Sequence, residues 1–490
     1  MDDPEAVIEE ARARQRHRRR RALLAALSVV AAGGCAYGIS QGISNGKSAP
    51  ACAPGGCASG AASHPSTGTS VALYGIFQGS TRRISLGPHA YTQIQAARLV
   101  RVDPRTLKPL GKRLGFADGF TPLALSPNNN QLLGTNTSSS RSMTVVDLRG
   151  MRVDAKVNAR IDAEIGQRTV MAAWWPTANR VLALVQTFSK PYQRSVLSRS
   201  LIAFDPASGR IVWERTLPVK LGLFDAQTVQ GTVVLQLVDS RLKSTRETLV
   251  IASPNGQLRT GNLNIPHVSG PFQVATLMTS AGSSPAAYLV SDNDTIFSIN
   301  LDNAHSTPHH VNPPTGAPST PQPKYNAFPV AAALGGNIVA TGLFTRNDET
   351  SRGGLYLIDP TNWTARLLDP NTPRFISNGS VLATFGNVLG SGSGSGVTLY
   401  NQTGTPTSHL YGAKTLMEIA LTPTVGYAFA PTLANPTPHR PIVPNISGGQ
   451  ELLFNPSTGK SVGRTPQTRG NAGSAPQLIY PGAPALNRNR

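Results

Sequence analysis

The stretch Leu201-Ile202-Ala203-Phe204-Asp205-Pro206-Ala207-Ser208-Gly209-Arg210-Ile211-Val212 decides the fold of this chain. An apolar run ends at Asp205, a Pro- and Gly-containing turn follows, and a second apolar run begins at Ile211. An Asp side chain hydrogen-bonds its own backbone two residues on, Pro fixes φ, and Gly accepts a positive φ. The stretch therefore predicts a β-hairpin whose turn is closed by the side chain of Asp205.

The same unit recurs along most of the chain, and we call its turns the staple turns. They begin at Asp103, Asp147, Asp205, Ser253, Asn300, Asp359, Asn401 and Asn455. Their mean separation is about 50 residues. A repeat of roughly 40–50 residues with several short strands in each copy is typical of a β-propeller.

A second element precedes several staple turns: an apolar strand, a Pro-containing turn and another strand. It occurs at residues 123–133, 174–185 and 419–429. Together the two elements resemble the YVTN and tryptophan-aspartate propeller superfamily over residues 71–465. The resemblance implies an all-β propeller of seven or eight blades, with a ring closed by strands from both ends of the chain. It implies no particular function, because this architecture hosts binding modules, lyases, hydrolases and oxidoreductases.

The composition agrees with an all-β protein. Gly (47) and Pro (39) make up about 18% of the 490 residues, against an average near 12%, and neither suits helix interiors. Only 14% of residues are charged, which excludes a coiled coil and a charge-driven disordered chain.

The amino-terminal segment predicts a membrane anchor. Residues 1–21 are basic and end in four consecutive Arg, whereas residues 22–39 carry no charge. A helix of that length spans about 27 Å, close to the hydrocarbon core of a bilayer. Arg before the span places residues 1–21 in the cytoplasm and the propeller outside the cell membrane.

Two alternatives to a retained anchor stay open. One is a cleaved signal peptide. The other is a lipoprotein signal in which Cys35 carries the lipid, although Ala32 stands where such signals have a Leu-like residue.

The flanks of the propeller are expected to be irregular. Residues 40–70 are rich in Ser, Gly, Ala and Pro and predict a flexible stalk, in which Cys52 and Cys57 could close a small disulfide loop. Residues 466–490 contain no acidic side chain and are expected to form a loose tail.

No catalytic, cofactor-binding or metal-binding residue is predicted. His305, His309 and His310 lie in residues 303–328, which the Pro content predicts to be a loop. Asp292 and Asp294 share one turn, and a solvated turn is the expected structure. Trp213 resembles the docking Trp of pyrroloquinoline-quinone dehydrogenases, but it is the single Trp at that place in the repeat, so no cofactor is expected.

The net charge of +20 suggests acidic partners. Besides the membrane itself, contacted through residues 22–39, we expect an envelope ligand such as an anionic polymer or a protein. A compositional bias toward Arg explains the charge equally well. Nucleic acid is not expected, because the neighbouring apolar span accounts for the Arg cluster.

These patterns favour a binding or sensing module of the cell envelope that performs no catalysis. One alternative is a lactonase-like or lyase-like propeller enzyme, which would need acidic, His or Asn side chains at the mouth of the axis. Another is a signalling partner whose residues 2–21 report to a cytoplasmic regulator.

Overall fold

The computed structural model describes residues 72–479, apart from gaps at 88–89, 137–138, 191–192, 240–245, 265–275, 280–286, 292–293, 315–320, 324–329, 345–349, 353, 371–372, 388–395, 413, 415, 417, 434–445, 465–467 and 470–476. The predicted anchor and stalk, with Cys35, Cys52 and Cys57, lie outside these residues. Within them, no helix is both long enough and apolar enough to cross a membrane.

The described strands form eight antiparallel blades of four strands, so the chain is an eight-bladed β-propeller. Blade 1 contains β1 (Leu73–Gly87), β2 (Ala90–Val102), β3 (Pro109–Phe116) and the last strand, β35 (Gln477–Ile479). Blades 2 to 4 contain β4 (Thr121–Leu125), β5 (Gln131–Asn136), β6 (Ser139–Asp147), β7 (Arg152–Val153), β8 (Thr169–Thr177), β9 (Arg180–Lys190), β10 (Gln193–Phe204), β11 (Ile211–Thr216), β12 (Leu221–Val229), β13 (Thr232–Asp239), β14 (Arg246–Ala252) and β15 (Leu258–Asn264).

The second half of the ring repeats this plan. Blades 5 and 6 contain β16 (Thr276–Thr279), β17 (Ala287–Val290), β18 (Thr295–Ile299), β19 (Ser306–His310), β21 (Val330–Leu334), β22 (Asn337–Thr341), β24 (Leu355–Asp359) and β25 (Thr364–Asp369), with β20 (Pro321–Pro323) and β23 (Thr350–Arg352) paired outside the blades. Blades 7 and 8 contain β26 (Pro373–Ser377), β27 (Leu382–Asn387), β28 (Val397–Tyr400), β29 (Pro406–Leu410), β30 (Glu418–Leu421), β31 (Gly426–Leu433), β32 (Ile446–Asn455) and β33 (Lys460–Arg464), with β34 (Thr468–Arg469) beside β32.

Ring closure uses strands from both ends of the described chain, as the repeat predicted. The carboxyl-terminal strand β35 is the innermost strand of blade 1 and pairs with β1, so that Ile479 lies opposite Tyr74. This strand lies inside the segment that was expected to be a loose tail. The Gly and Pro residues around it favour a loop in the sequence pattern, whereas the strand is defined by its pairing with β1.

The eight staple turns all join the third and fourth strands of their blades, which confirms the assignment from sequence. Asp205 Oδ1 accepts a hydrogen bond from Ala207 N at 3.0 Å, and its Oδ2 accepts one from Ser208 Oγ at 2.7 Å. Asn455 Oδ1 accepts from Ser457 N at 2.9 Å in the same way. We call the end of the propeller that carries these turns the staple face and the opposite end the loop face.

Apolar clusters fill the seams between successive blades. Val181, Ala183 and Val185 of β9 pack toward blade 2, whereas Leu182 and Leu184 pack toward blade 4. Alternate residues of each strand therefore serve two different seams, which explains why the strands are nearly continuous apolar runs.

One helix, α1 (Ala155–Ile165), was not expected from the sequence. It replaces most of the outer strand of blade 2, because β7 pairs with β6 only at Val146 and Asp147. Side chains of the helix take the place of the missing strand and accept hydrogen bonds from the N–H groups of β6. Asn158 Oδ1 accepts from Val145 N, and Asp162 Oδ1 accepts from Met143 N. The helix thus covers a sheet edge that would otherwise be exposed.

The segment 303–328 also differs from the expected loop. Ser306–His310 forms β19, the outer strand of blade 5, and Pro321–Pro323 forms the short β20. Both strands lie at sheet edges, where Pro is tolerated because no ladder N–H is needed from it.

Candidate functional site

Three adjacent innermost strands share the same irregularity near the loop face. Each has one extra residue relative to the next strand of its blade: Leu123 in β4, Met171 in β8 and Phe224 in β12. Such bulges re-aim a side chain and are over-represented beside functional sites. We call these three residues the bulged rim.

Met171 shows what the bulge does. Val170 packs into the seam with blade 2 and Ala172 into the seam with blade 4, although residues two apart on a regular strand share a face. Met171, between them, belongs to neither seam and is 37% exposed. Because β8 is the innermost strand, its free edge borders the axis, and the Met171 side chain lies at that edge.

Phe224 occupies the equivalent position in blade 4, whereas Leu123 in blade 2 lies two residues nearer the staple turn of its blade. Both are half-buried, and Leu123 also packs against the cluster between blades 2 and 3. Met171 and Phe224 therefore place apolar surface on two neighbouring blades near the mouth of the axis, with Leu123 deeper on the third.

The bulge at Phe224 has a second consequence, because it turns the next residue into a seam. Asp225 is 4% exposed and lies in the seam between blades 4 and 5, where Ala226 N donates to its Oδ1 at 2.7 Å. Burial raises the pKa of the Asp225 carboxyl to about 7, although hydrogen bonds from the backbone of Ala226 and Leu277 oppose the shift.

More polar side chains fill the same seam. Gln227, two residues along β12, donates from Nε2 to the carbonyl oxygen of Leu277 at 3.4 Å. Gln236 on β13 donates to Glu247 on β14 at 2.5 Å. All four side chains are buried, so this seam contains a cluster of polar groups.

The loop face also carries long hairpins. The ribbons β1–β2, β9–β10 and β31–β32 continue past the inner and outer strands of their blades. They rise on the same face as the bulged rim, because in every blade the second and third strands are joined there.

The residues singled out by sequence have structural roles. Trp213 donates from Nε1 to Pro254 O at 2.9 Å, and its ring lies against Gly256 in the staple turn of blade 4. It therefore docks blade 3 on blade 4, and a Cβ at Gly256 would lie 3.1 Å from its ring.

The three His residues do not converge. His309 stacks on Trp363 with 3.8 Å between ring centroids, and its Nε2 lies 2.8 Å from Ser298 Oγ. His305 belongs to the staple turn, and His310 is exposed at the edge of β19. Among the described residues, no three His, Cys, Asp or Glu side chains are placed to hold a metal ion.

Asp294 also has a structural place. Its backbone N–H donates to Leu343 O at 3.0 Å and its carbonyl accepts from Val311 N at 2.8 Å, so this turn ties blade 5 to blade 6. Asp292 lies outside the described residues.

Sequence reasoning missed the bulged rim and Asp225. Val170, Met171 and Ala172 are all apolar, and nothing in that run shows which one leaves the ladder. The sole hint at Asp225 is an acid within a strand pattern, a place where charged residues are rare.

Comparison with known proteins finds only distant structural likeness. No family model and no curated protein matches the chain. Among solved structures, it is similar to the dihydro-heme d1 dehydrogenase NirN in complex with DHE, at 15% identity and a TM-score of 0.48 over 84% of this chain and 75% of that one. It is also similar to AztD from Citrobacter koseri, at 10% identity and a TM-score of 0.43 over 84% of this chain and 98% of that one.

A third similar structure is BamB from Moraxella catarrhalis, at 11% identity and a TM-score of 0.41 over 72% of this chain and 97% of that one. At such identities and TM-scores the likeness concerns the fold alone.

Proposed function

We propose that this chain is a membrane-anchored, extracytoplasmic binding or sensing module that takes its envelope ligand at the bulged rim and performs no catalysis. The observation that carries the proposal is the repetition of one bulge on three neighbouring innermost strands. A single bulge can serve packing, but the bulges at Met171 and Phe224 lie at the same height on neighbouring blades, and the bulge at Leu123 continues them one blade further and two residues deeper. Apolar surface with few polar groups is what small-ligand and peptide sites present.

The point at which the chain enters the propeller determines the face to which an anchor would be attached. Leu73 lies opposite Val102, directly before the staple turn at Asp103, so the chain enters at the staple face. An anchor at residues 22–39 would therefore be attached to the propeller at its staple face, the face opposite the bulged rim.

An uncharged apolar dye, N-phenyl-1-naphthylamine, tests the rim. We expect Met171→Ser to lower dye fluorescence several-fold. The matched control is Val212→Ser on the outer strand β11, because Val212 is 47% exposed but far from the axis in its blade. Equal dye binding by the Met171→Ser variant and the unaltered chain would contradict the proposal.

The anchor has a separate test. The mass of the protein extracted from membranes should include residues 1–39. A mature chain that begins at or near Cys35 would overturn the retained anchor and favour the lipoprotein or cleaved-signal alternative.

A hydrolytic propeller enzyme is the second candidate, and Asp225 is the observation that favours it. A carboxyl group with a pKa near 7 beside the rim is suited to general acid–base chemistry. Its carboxyl is turned into the seam, however, where Ala226 N donates to it, and not toward the mouth of the axis. Turnover of a simple lactone or ester that disappears in Asp225→Asn would support this candidate over the first.

A further inference from the structure

Most cationic side chains of the staple face lie on one half of the ring, although Arg366 of blade 6 reaches the staple turn of blade 7 and donates to Thr403 O there. Within the described turns of that face, or at the first strand residue after a turn, every Lys and Arg belongs to blades 8, 1, 2 or 3. They are Arg105, Lys108, Arg149, Arg152, Arg180, Arg210 and Lys460. The corresponding positions of blades 4 to 7 hold no Lys or Arg in the described residues and include the acids Asp302 and Asp359. We call blades 8, 1, 2 and 3 of this face the basic half.

These four blades are contiguous. Tyr427 and Leu453 of blade 8 pack with Leu73 and Val102 of blade 1. Blade 1 packs against blade 2, and blade 2 against blade 3. The cationic residues therefore form one continuous surface.

Three staple acids offset the seven cationic side chains of the basic half only in part. Asp103, Asp147 and Asp205 direct their carboxylates at N–H and O–H groups of their own turns. Arg152 pairs with Asp147 at 3.1 Å, but Arg105, Arg149 and Lys460 are exposed and take part in no ion pair within the described part of the chain.

The chain also enters the propeller at the centre of this half, since Leu73 begins β1 of blade 1. Between residue 39 and the propeller lies the predicted stalk, residues 40–70, which as a flexible coil spans about 30 Å on average. A tether of that reach brings the basic half to the bilayer surface but does not orient the propeller by itself.

We propose that the basic half of the staple face rests on anionic phospholipid headgroups and orients the propeller with its bulged rim away from the membrane. This inference rests on the proposed anchor. Arg binds a headgroup phosphate through the planar fork of its guanidinium, and Lys binds it as a point charge. Several cations spread over one surface suit a lipid bilayer, whose charge is also spread over an area.

Lysine reactivity in nanodiscs tests the inference on the full chain. The protein is inserted into discs of neutral phosphatidylcholine or of phosphatidylcholine with phosphatidylglycerol, acetylated with an uncharged N-hydroxysuccinimide ester, and analysed by mass spectrometry. Lys108 and Lys460 should react several-fold more slowly in the anionic discs. Lys220 and Lys414, exposed on the loop face, should react equally in both.

Paired variants test whether the positive charge of the basic half causes the slower acetylation. Arg105→Gln with Arg149→Gln should restore the reactivity of Lys108 and Lys460 in anionic discs, as should high salt. Lys220→Gln with Lys414→Gln, which removes the same charge from the loop face, should leave their protection intact. Equal reactivity in both disc types, or protection that survives the Arg105→Gln and Arg149→Gln pair, overturns the inference while leaving the anchor in place. Failure of the full chain to insert into either disc overturns the anchor, and this inference with it.

Discussion

The phenolic hydroxyl of Tyr427 donates a hydrogen bond of 3.1 Å to the carbonyl oxygen of Pro104, a residue 323 positions earlier in the chain. Tyr427 lies on β31 of blade 8 and Pro104 in the staple turn of blade 1. Burial raises the pKa of this phenol further above its ordinary value, so it remains a donor at every physiological pH. The ring is therefore closed by a side-chain bond as well as by the pairing of β35 with β1.

Replacing Tyr427 by Phe should lower the free energy of unfolding by about 0.5–1.5 kcal/mol, because one hydrogen bond is lost and the Pro104 carbonyl loses its partner. Chemical denaturation measures the change. Tyr288→Phe is the matched control, since no hydrogen bond from its hydroxyl is found in the described structure. An equal effect of the two substitutions would show that the seam does not depend on this bond.

Removing β35 should open the ring. A chain that ends at residue 476 exposes the partners of Leu478 and Ile479, which are each 1% exposed in the intact propeller. Burial of two such side chains contributes about 3–6 kcal/mol. A chain that ends at residue 480 keeps every described contact of β35 and should unfold like the full chain. Similar thermal unfolding of both truncations would restore the interpretation of this segment as a loose tail.

Asp205→Ala should affect stability and not binding, because the staple turn lies on the face opposite the bulged rim. We expect a loss of about 0.5–1.5 kcal/mol and a fall in melting temperature of about 1–2 °C, because the shift per kcal/mol is small in a large domain. Ser208→Ala, which removes one of the two bonds, should cost less. Unaltered stability together with lost ligand binding would show that the staple belongs to the functional surface.

The staple turn at Asp205 should also make the stability of the propeller depend on pH. Burial opposes ionisation of Asp205, but the hydrogen bonds from Ser208 and Ala207 outweigh it and lower the pKa of the carboxyl. Its stabilising contribution should therefore be present above the unfolded pKa of about 3.9 and disappear as the pH falls through the folded value.

Asp225 should behave in the opposite way. Its pKa is about 7 in the folded chain and about 3.9 in the unfolded chain. Stability should therefore fall as the pH rises from about 4 to 7, by on the order of 4 kcal/mol. Asp225→Asn keeps an acceptor for Ala226 N and should flatten this dependence in denaturation curves recorded across that range. A pH profile identical to that of the unaltered chain would mean that the carboxyl is solvated.

The sequence by itself determined the repeating hairpins, their turns and hence the all-β propeller. This succeeds because a staple turn is a local device: Asp205 bonds to residues two and three positions ahead, so residue types and spacing carry the whole signal. Eight staple turns correspond to eight blades, although the sequence left seven or eight open because strands shared between the chain ends alter the count.

The tertiary structure alone decided which residues leave the ladder and what closes the ring. A bulge is a mismatch between two strands, so Met171 cannot be distinguished from Val170 until β8 is paired with β9. A shift of one residue exchanges the two faces of a strand. The bulge at Phe224 therefore turns Asp225 into the seam between blades 4 and 5, although Leu223 packs toward blade 3. The helix α1 and the strand β35 are likewise defined by the edges they cover: α1 covers the edge of β6, and β35 pairs with β1 at the other end of the described chain.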